Sequence, residues 1–389
     1  MRPAHKFFTV LFAAFLISCT TDADLPEYLK EIENLTVYAE NETPKYQIEL
    51  QEVARIDDSG EVILGRISGI QADDNGRIFI SDDVEKRINV YSPDGNFIKS
   101  LGRKGQGPGE FEYIHNLSVD EDFVYAMDFS KNLINAYSLN TLEFSSTIPM
   151  ANDIQSIDLL EGFYPTDFMM LADGDILISY LKSFGHRESQ SERQDLIFRV
   201  DRDGRIQSEP TLQLESGDAL VLRTDNSISV FGAPFLVTTS VALTPDQKVV
   251  TNRSDKFLFK QYDESGNYER AFYHPYSPKS LTRERALSQY ENENYRRAVR
   301  NSDLPDTWPV VEGFLIDDAG RFWVATIIEN EDELEWWVLD SEGELLAREV
   351  LPKSQMVELV KNDYLYMREE DDMGLVEVVK YQLTLAQYD

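Results

Sequence analysis

The feature that most constrains this chain is a unit running from Gly69 to Phe111 that recurs, with decay, to the C-terminus. It holds four short apolar runs, around Ile70, Ile78-Phe79-Ile80, Ile88 to Tyr91 and Phe97-Ile98, separated by turns. Asn75-Gly76 and Asp94-Gly95 are hairpin signals, because such turns need positive φ where only glycine escapes a steric penalty. Four antiparallel strands in about forty residues make one blade of a propeller.

Aligning each unit on its second strand gives the markers Ile78, Val124, Ile176, Val249, Phe322 and Tyr364, spaced by 46, 52, 73, 73 and 42 residues. Asn75-Gly76-Arg77-Ile78 is echoed by Asp173-Gly174-Asp175-Ile176 and Ala319-Gly320-Arg321-Phe322. The turn at Asp94-Gly95 is echoed at Asp203-Gly204, Ser265-Gly266 and Glu342-Gly343. Repeats at such a period bury their faces only against neighbours. The expectation is an all-β, six-bladed β-propeller of four-stranded antiparallel blades. The last unit offers Tyr364 to Met367 and Leu375 to Leu383 but no fourth strand, whereas Tyr46 to Leu50 alternates at period two ahead of the first unit. The two ends of the chain are therefore expected to share the sixth blade, since an unclosed ring leaves open sheet edges.

Residues 1–18 read as an export signal: Arg2 and Lys6 precede an apolar run from Phe7 to Ile17 that is too short to span a bilayer. The run ends Leu16-Ile17-Ser18-Cys19, which resembles a bacterial lipobox, and Cys19 is the single cysteine of the chain. The resemblance implies lipid attachment at Cys19 and a bacterial envelope location, as an outer-membrane lipoprotein facing the periplasm or the surface. The acidic stretch behind it is similar to surface-export signals of Bacteroidetes lipoproteins. Residues 19–45 are expected to form an acidic tether with a short helix between Leu25 and Glu33, followed by the propeller over 46–389.

Without Arg2 and Lys6 the mature chain keeps 70 acidic and 35 basic residues, a net charge near −35. Such a surface repels phosphate backbones, so nucleic acid is excluded as a partner.

The segment from Leu101-Gly102-Arg103-Lys104-Gly105 to Gly107-Pro108-Gly109-Glu110-Phe111 closely resembles the junction of NHL repeats, and the chain resembles the six-bladed propeller lipoproteins common in Bacteroidetes and their relatives. The glycines lack the Lys-Ser/Thr ending and helical context of a phosphate-binding loop.

Excess length accumulates at three places: Ser183 to Asp195, Gln207 to Pro234, and about 278–304, where Thr282 starts a helix carrying Tyr290 and Tyr295. In a propeller all three emerge on the face that carries blade-to-blade junctions, and loops on a rigid scaffold commonly carry function. Where innermost strands begin on that face stand Ser68, Thr239 and Glu312, with His115 and Thr166 at comparable places. These five, with Arg103 and Lys104 from the first junction, are the candidate ligand-facing residues. Arg103, Lys104, His115 and the tyrosines of the helix are expected to surround one cavity.

Beyond residue 18 the histidines are His115, His186 and His274, which do not form a zinc pattern. The turns at Asp73 to Gly76 and Asp317 to Gly320 have calcium-type residues without a calcium-loop spacing. Neither a nucleophile elbow nor a paired His–Cys arrangement appears. No catalytic residue, metal ligand or cofactor is assigned, calcium being the one cofactor kept open. The expected function is a membrane-anchored binding or scaffold module for a small molecule, glycan or protein partner. The alternative, implied by lyases and lactonases built on similar propellers, is a metal-dependent hydrolase or lyase working at the channel mouth.

Overall fold

Each repeat closes on itself through a turn whose sequence echo has a hydrogen-bonding cause. Asp73 accepts the backbone N–H groups of Asn75 (3.0 Å) and Arg77 (2.9 Å) and pairs with the Arg77 guanidinium at 2.6 Å. Asp317 does the same with Ala319 (3.0 Å), Arg321 (2.8 Å) and the Arg321 side chain (2.6 Å). Gly76 and Gly320 supply the left-handed residue of each turn, both at φ +77°.

The computed structural model describes residues 25–57, 62–150, 158–182, 193–223, 228–370 and 374–388. The first blade is Ile67–Ala72, Ile78–Asp82, Arg87–Tyr91 and Phe97–Leu101, in that order from axis to rim. The inner strands of the next four begin the meanders Ile114–Val119 to Phe144–Pro149, Phe163–Met170 to Leu212–Glu215, Thr239–Leu243 to Tyr268–Tyr273, and Val311–Ile316 to Leu345–Pro352. The six sequence markers all fall in second strands. Those strands are buried nearly throughout, because each is flanked by a blade on either side.

The sixth blade takes Gln355–Lys361, Tyr364–Glu370 and Val376–Gln387 from the C-terminus and Tyr46–Ile56 from the N-terminus. The closing strand runs antiparallel to its neighbour from Tyr46 opposite Gln387 to Ile56 opposite Val378. Six apolar clusters lie between successive blades, and the whole ring is held by these seams.

Three expectations change. The segment expected to be a tether is docked from its first described residues. Glu27–Lys30 forms a helical turn with Leu29 buried, Leu35–Val37 adds a parallel fifth strand to the rim of the fourth blade, and Tyr38 stacks on His274 at 4.6 Å. Its apolar side chains find burial against blade edges that a solvated tether would forgo. The helical insertion is two helices, Arg283–Ser288 and Glu293–Asn301, because the Asn292 side chain accepts the N–H of Asn294 and starts a new cap. The excess after the third blade begins later than Gln207, since Leu212–Glu215 is that blade's outer strand; the added piece is a hairpin of Leu220–Arg223 and Ile228–Phe231. Most of the Ser183 to Asp195 loop, like the export signal and Cys19, lies outside the described residues.

Candidate functional site

The innermost strands share a structural device near the axis. In five of the six, a β-bulge interrupts pairing with the second strand, at Ser68, Asn116, Thr166, Glu312 and Glu358. A bulge re-aims a side chain and bends its strand, which tightens the ring near its axis. Three of the candidate residues are thus bulge residues, and Asn116 and Glu358 were missed. The signal for Asn116 was present as a neighbour of His115.

Most of these polar groups are engaged within the fold. Ser68 and Ser81 share a hydrogen bond at 2.9 Å, the Thr166 hydroxyl donates to the Ser179 carbonyl (3.2 Å), and the Thr239 hydroxyl donates to the Glu215 carbonyl (2.6 Å). Asn116 donates to Asp167, and Glu358 pairs with Arg368 at 3.0 Å. Burial pushes the carboxyls of Asp167, Glu312 and Glu358 above the usual carboxylate range.

For Glu312 the folded state favours the neutral form, so its stabilising contribution is present below the unfolded pKa and is lost as pH rises through the folded value. Glu312→Gln is therefore expected to melt above the wild type at pH 7 and level with it near pH 4. Urea titrations at both values check this, and a variant that is less stable at pH 7 sinks the assignment. His274 works in the opposite direction. Its burial lowers the imidazole to about 4, so its contribution is present above the unfolded value of 6.5 and is lost as pH falls toward 4.

Arg103 and Lys104 do not join the helices about one cavity. Arg103 pairs with Glu110 at 2.7 Å with its side chain 80% exposed, and Lys104 bridges back to Phe111. The junction closes on itself, since the Glu110 carboxylate also accepts the Gly107 N–H (2.9 Å) and Tyr137 donates to the Gly109 carbonyl (2.6 Å). The two helices pack on the hairpin instead: Tyr295 meets Phe231 edge-on at 4.5 Å and stacks with Tyr290 at 5.3 Å, while Tyr290 reaches Phe235. Those tyrosines serve the packing of the insertions.

What the long-loop face does assemble is an aromatic run. Tyr113, Phe129 and Tyr164 follow one another edge-on at 6.0 and 5.8 Å across the second and third blades. His115 lies 6.4 Å from Tyr113, whose ring carries the Lys86 ammonium at 4.8 Å. Tyr113 and Tyr164 each precede a candidate residue, His115 or Thr166, by two positions, a regularity that the sequence held and that was not used.

Tyr164 then forms one wall of a cavity of about 550 Å³ that also takes in Leu181, Arg193, Asp195, Asp218, Phe231 and Thr239. Arg193 is buried, and its guanidinium is pushed down by desolvation. The Asp195 carboxyl is pushed up by burial and accepts a hydrogen bond from Ser216. An aromatic wall with a buried cation and carboxyl at its base can stack on a flat face and hydrogen-bond several hydroxyls. Among the described residues, no group of three or more His, Cys, Asp or Glu side chains is placed to hold a metal ion.

The model of a family described as a 6-bladed beta-propeller, DUF5128, matches residues 52–238, from the closing strand to the start of the fourth blade. The chain is a six-bladed β-propeller. A Bacteroides fragilis protein described as exported superposes with a TM-score of 0.54 at 13% identity, covering 91% of this propeller and 100% of that chain. A member of the DUF4221 family from Bacteroides vulgatus gives 0.53 at 10% identity, with coverages of 88% and 100%. At a TM-score of 0.46 and 14% identity stands a virginiamycin B lyase of Staphylococcus aureus, covering 87% of this propeller and 100% of that chain. No curated protein is similar to the propeller in sequence.

Proposed function

We propose that this propeller is an extracytoplasmic binding module, lipid-anchored through Cys19, whose long-loop face holds a hydroxyl-rich ligand of the glycan class. The observation that carries the reading is the aromatic run from Tyr113 through Phe129 to Tyr164, leading into the cavity with Arg193 and Asp195 at its base. Sugar rings present apolar faces that stack on tyrosine and equatorial hydroxyls that need a polar floor. The anchor rests on the lipobox-like run ending at Cys19 and on the export signal before it. The hydrolase or lyase alternative finds no donor cluster for its metal among the described residues.

Affinity electrophoresis through gels carrying xylan, pectin or mucin glycans tests the reading. The wild type is expected to be retarded by one of them, Tyr113→Ala and Tyr164→Ala each to weaken retardation about tenfold, equivalent to about 1.4 kcal/mol for one stacked ring, and Arg103→Ala to leave it unchanged. Migration unaffected by all three polysaccharides, or retardation equal in the tyrosine variants, overturns it. In the same cells Cys19→Ala is expected to shift the protein from the membrane to the soluble fraction, because two acyl chains supply stable anchoring and this acidic surface supplies no other attraction.

A further inference from the structure

The seam between the third and fourth blades differs from the other five. Its apolar cluster contains five fully buried residues, Leu171, Leu177, Ile197, Leu212 and Val249, where every other seam contains ten or more. Less apolar packing there leaves a partly open cavity of about 220 Å³ between the short outer strand of the third blade and the facing side of the fourth.

The lining is unusual for this protein. Arg253, Lys256 and Lys260 face the cavity against one carboxylate, Glu215, in a chain whose formal net charge is −33. Arg253 spans the seam, meeting Glu215 at 3.2 Å and donating to the Ser216 carbonyl at 3.0 Å, with Asp255 at 3.6 Å on its other side. Lys256 is taken by Asp255 at 3.2 Å and by the ring of Tyr28 at 4.6 Å. Lys260 pairs through its backbone with the strands on either side, and its ammonium makes no ion pair or hydrogen bond with any described residue. Beside these cations the lining adds the hydroxyls of Thr239, Tyr262 and Thr251, the last being 6% exposed.

The Thr251 and Tyr262 side chains hydrogen-bond to each other, and beside this pair the half-buried Lys260 ammonium is a donor lacking an acceptor. We propose that this cavity is a binding site for a small tetrahedral oxyanion, phosphate or sulfate, free or carried on a sugar. Lys260 supplies the unclaimed charge, the Tyr262 hydroxyl, oriented by its hydrogen bond with Thr251, supplies a donor, and Arg253, held by Glu215, adds a positive field. Charge-assisted hydrogen bonds of this kind are the strong ones, and a partly desolvated pocket screens them little. The volume fits an oxyanion with one or two waters. The cavity adjoins the one beside Tyr164 at Thr239, which lines both, but Lys260, Thr251 and Tyr262 line this one alone, so variants at those residues test it apart from the glycan reading.

Thermal unfolding in 10 mM phosphate, 10 mM sulfate and chloride of matched ionic strength tests the proposal on the purified mature chain. The wild type is expected to melt several degrees higher in phosphate or sulfate than in chloride, since a ligand that binds only the folded state raises its stability. Lys260→Gln and Thr251→Val are expected to keep the melting temperature in chloride and to lose most of that gain. Glucose 6-phosphate giving the same gain as phosphate supports a sugar-borne group, and a gain confined to the inorganic ions supports the free anion. Equal melting in all three salts overturns the proposal, and so does a gain of the same size in Lys260→Gln, which would mark a general salt effect.

Discussion

A chain that begins at Asp57 is expected to lose cooperative unfolding altogether. The missing strand, Tyr46–Ile56, is the rim of the sixth blade, paired along its length with Val376–Gln387. Ala54 and Ile56 are fully buried, and Tyr46, Ile48 and Leu50 pack against the largest apolar cluster of the ring. At about 1.5–3 kcal/mol for each large apolar side chain removed from water, fully or in part, the strand contributes on the order of 5–10 kcal/mol. A domain's whole stability is about 5–15 kcal/mol, so the truncated chain has little left, and it exposes a twelve-residue edge besides. A chain that begins at Tyr46 keeps the closing strand and loses Leu29, the Leu35–Val37 pairing and the Tyr38 stack on His274. It is expected to remain folded and to melt several degrees lower. Circular dichroism melts of the two truncations decide the matter: a sharp transition in the chain starting at Asp57 would show that the ring does not depend on this closure.

The contrast between those truncations also marks where the sequence was legible. Blade count, second strands and the open last unit were visible because period-two alternation and Gly-containing turns are local signals. The docking of residues 25–45 was not, because their few apolar residues are scattered through a polar, acidic stretch, and the partners of Leu35–Val37 and Tyr38, Ala271 to His274, lie more than two hundred residues away. The same holds at the candidate site. Ser68, Thr166 and Glu312 could be placed at the start of inner strands by counting along repeats, but the bulges that set them apart are a property of pairing. Arg103 and Lys104 drew notice as cations in an acidic chain, and nothing local says that Glu110, seven residues on, claims Arg103. The cavity beside Tyr164 is built from the third blade, the hairpin and the fourth blade, three segments whose proximity no single repeat encodes.

The glycines of the outer turns carry a second message that the turn reading did not extract, and Gly343→Ala is expected to show it. Gly320 and Gly343 belong to the two hairpin turns of the fifth blade, and both are left-handed, at φ +77° and +98°. Replacing either with alanine costs about 1–2 kcal/mol for the backbone conformation alone. At Gly320 nothing more is added, since the nearest atom to a new Cβ is Ser341 Cβ at 3.9 Å. At Gly343 the new Cβ would stand 2.5 Å from Cγ of Phe272 and 2.7 and 2.9 Å from its two Cδ atoms. Phe272 cannot yield, because it is buried in the seam between the fourth and fifth blades, stacked on Phe259 at 5.1 Å and set edge-on to Phe322 at 5.1 Å. The turn must lift instead, and lifting it strains the 2.8 Å hydrogen bond between the His274 ring and the Gly343 carbonyl. Overpacking of this kind adds about 1–3 kcal/mol, so Gly343→Ala should lose about 2–5 kcal/mol where Gly320→Ala loses about 1–2. Urea unfolding of the two variants measures the difference directly. Equal losses would mean that Gly343 serves its own hairpin only; a larger loss at Gly343 assigns it to the contact between blades, the role that Gly266 fills one blade earlier, where a Cβ would meet the Thr211 carbonyl oxygen at 1.8 Å.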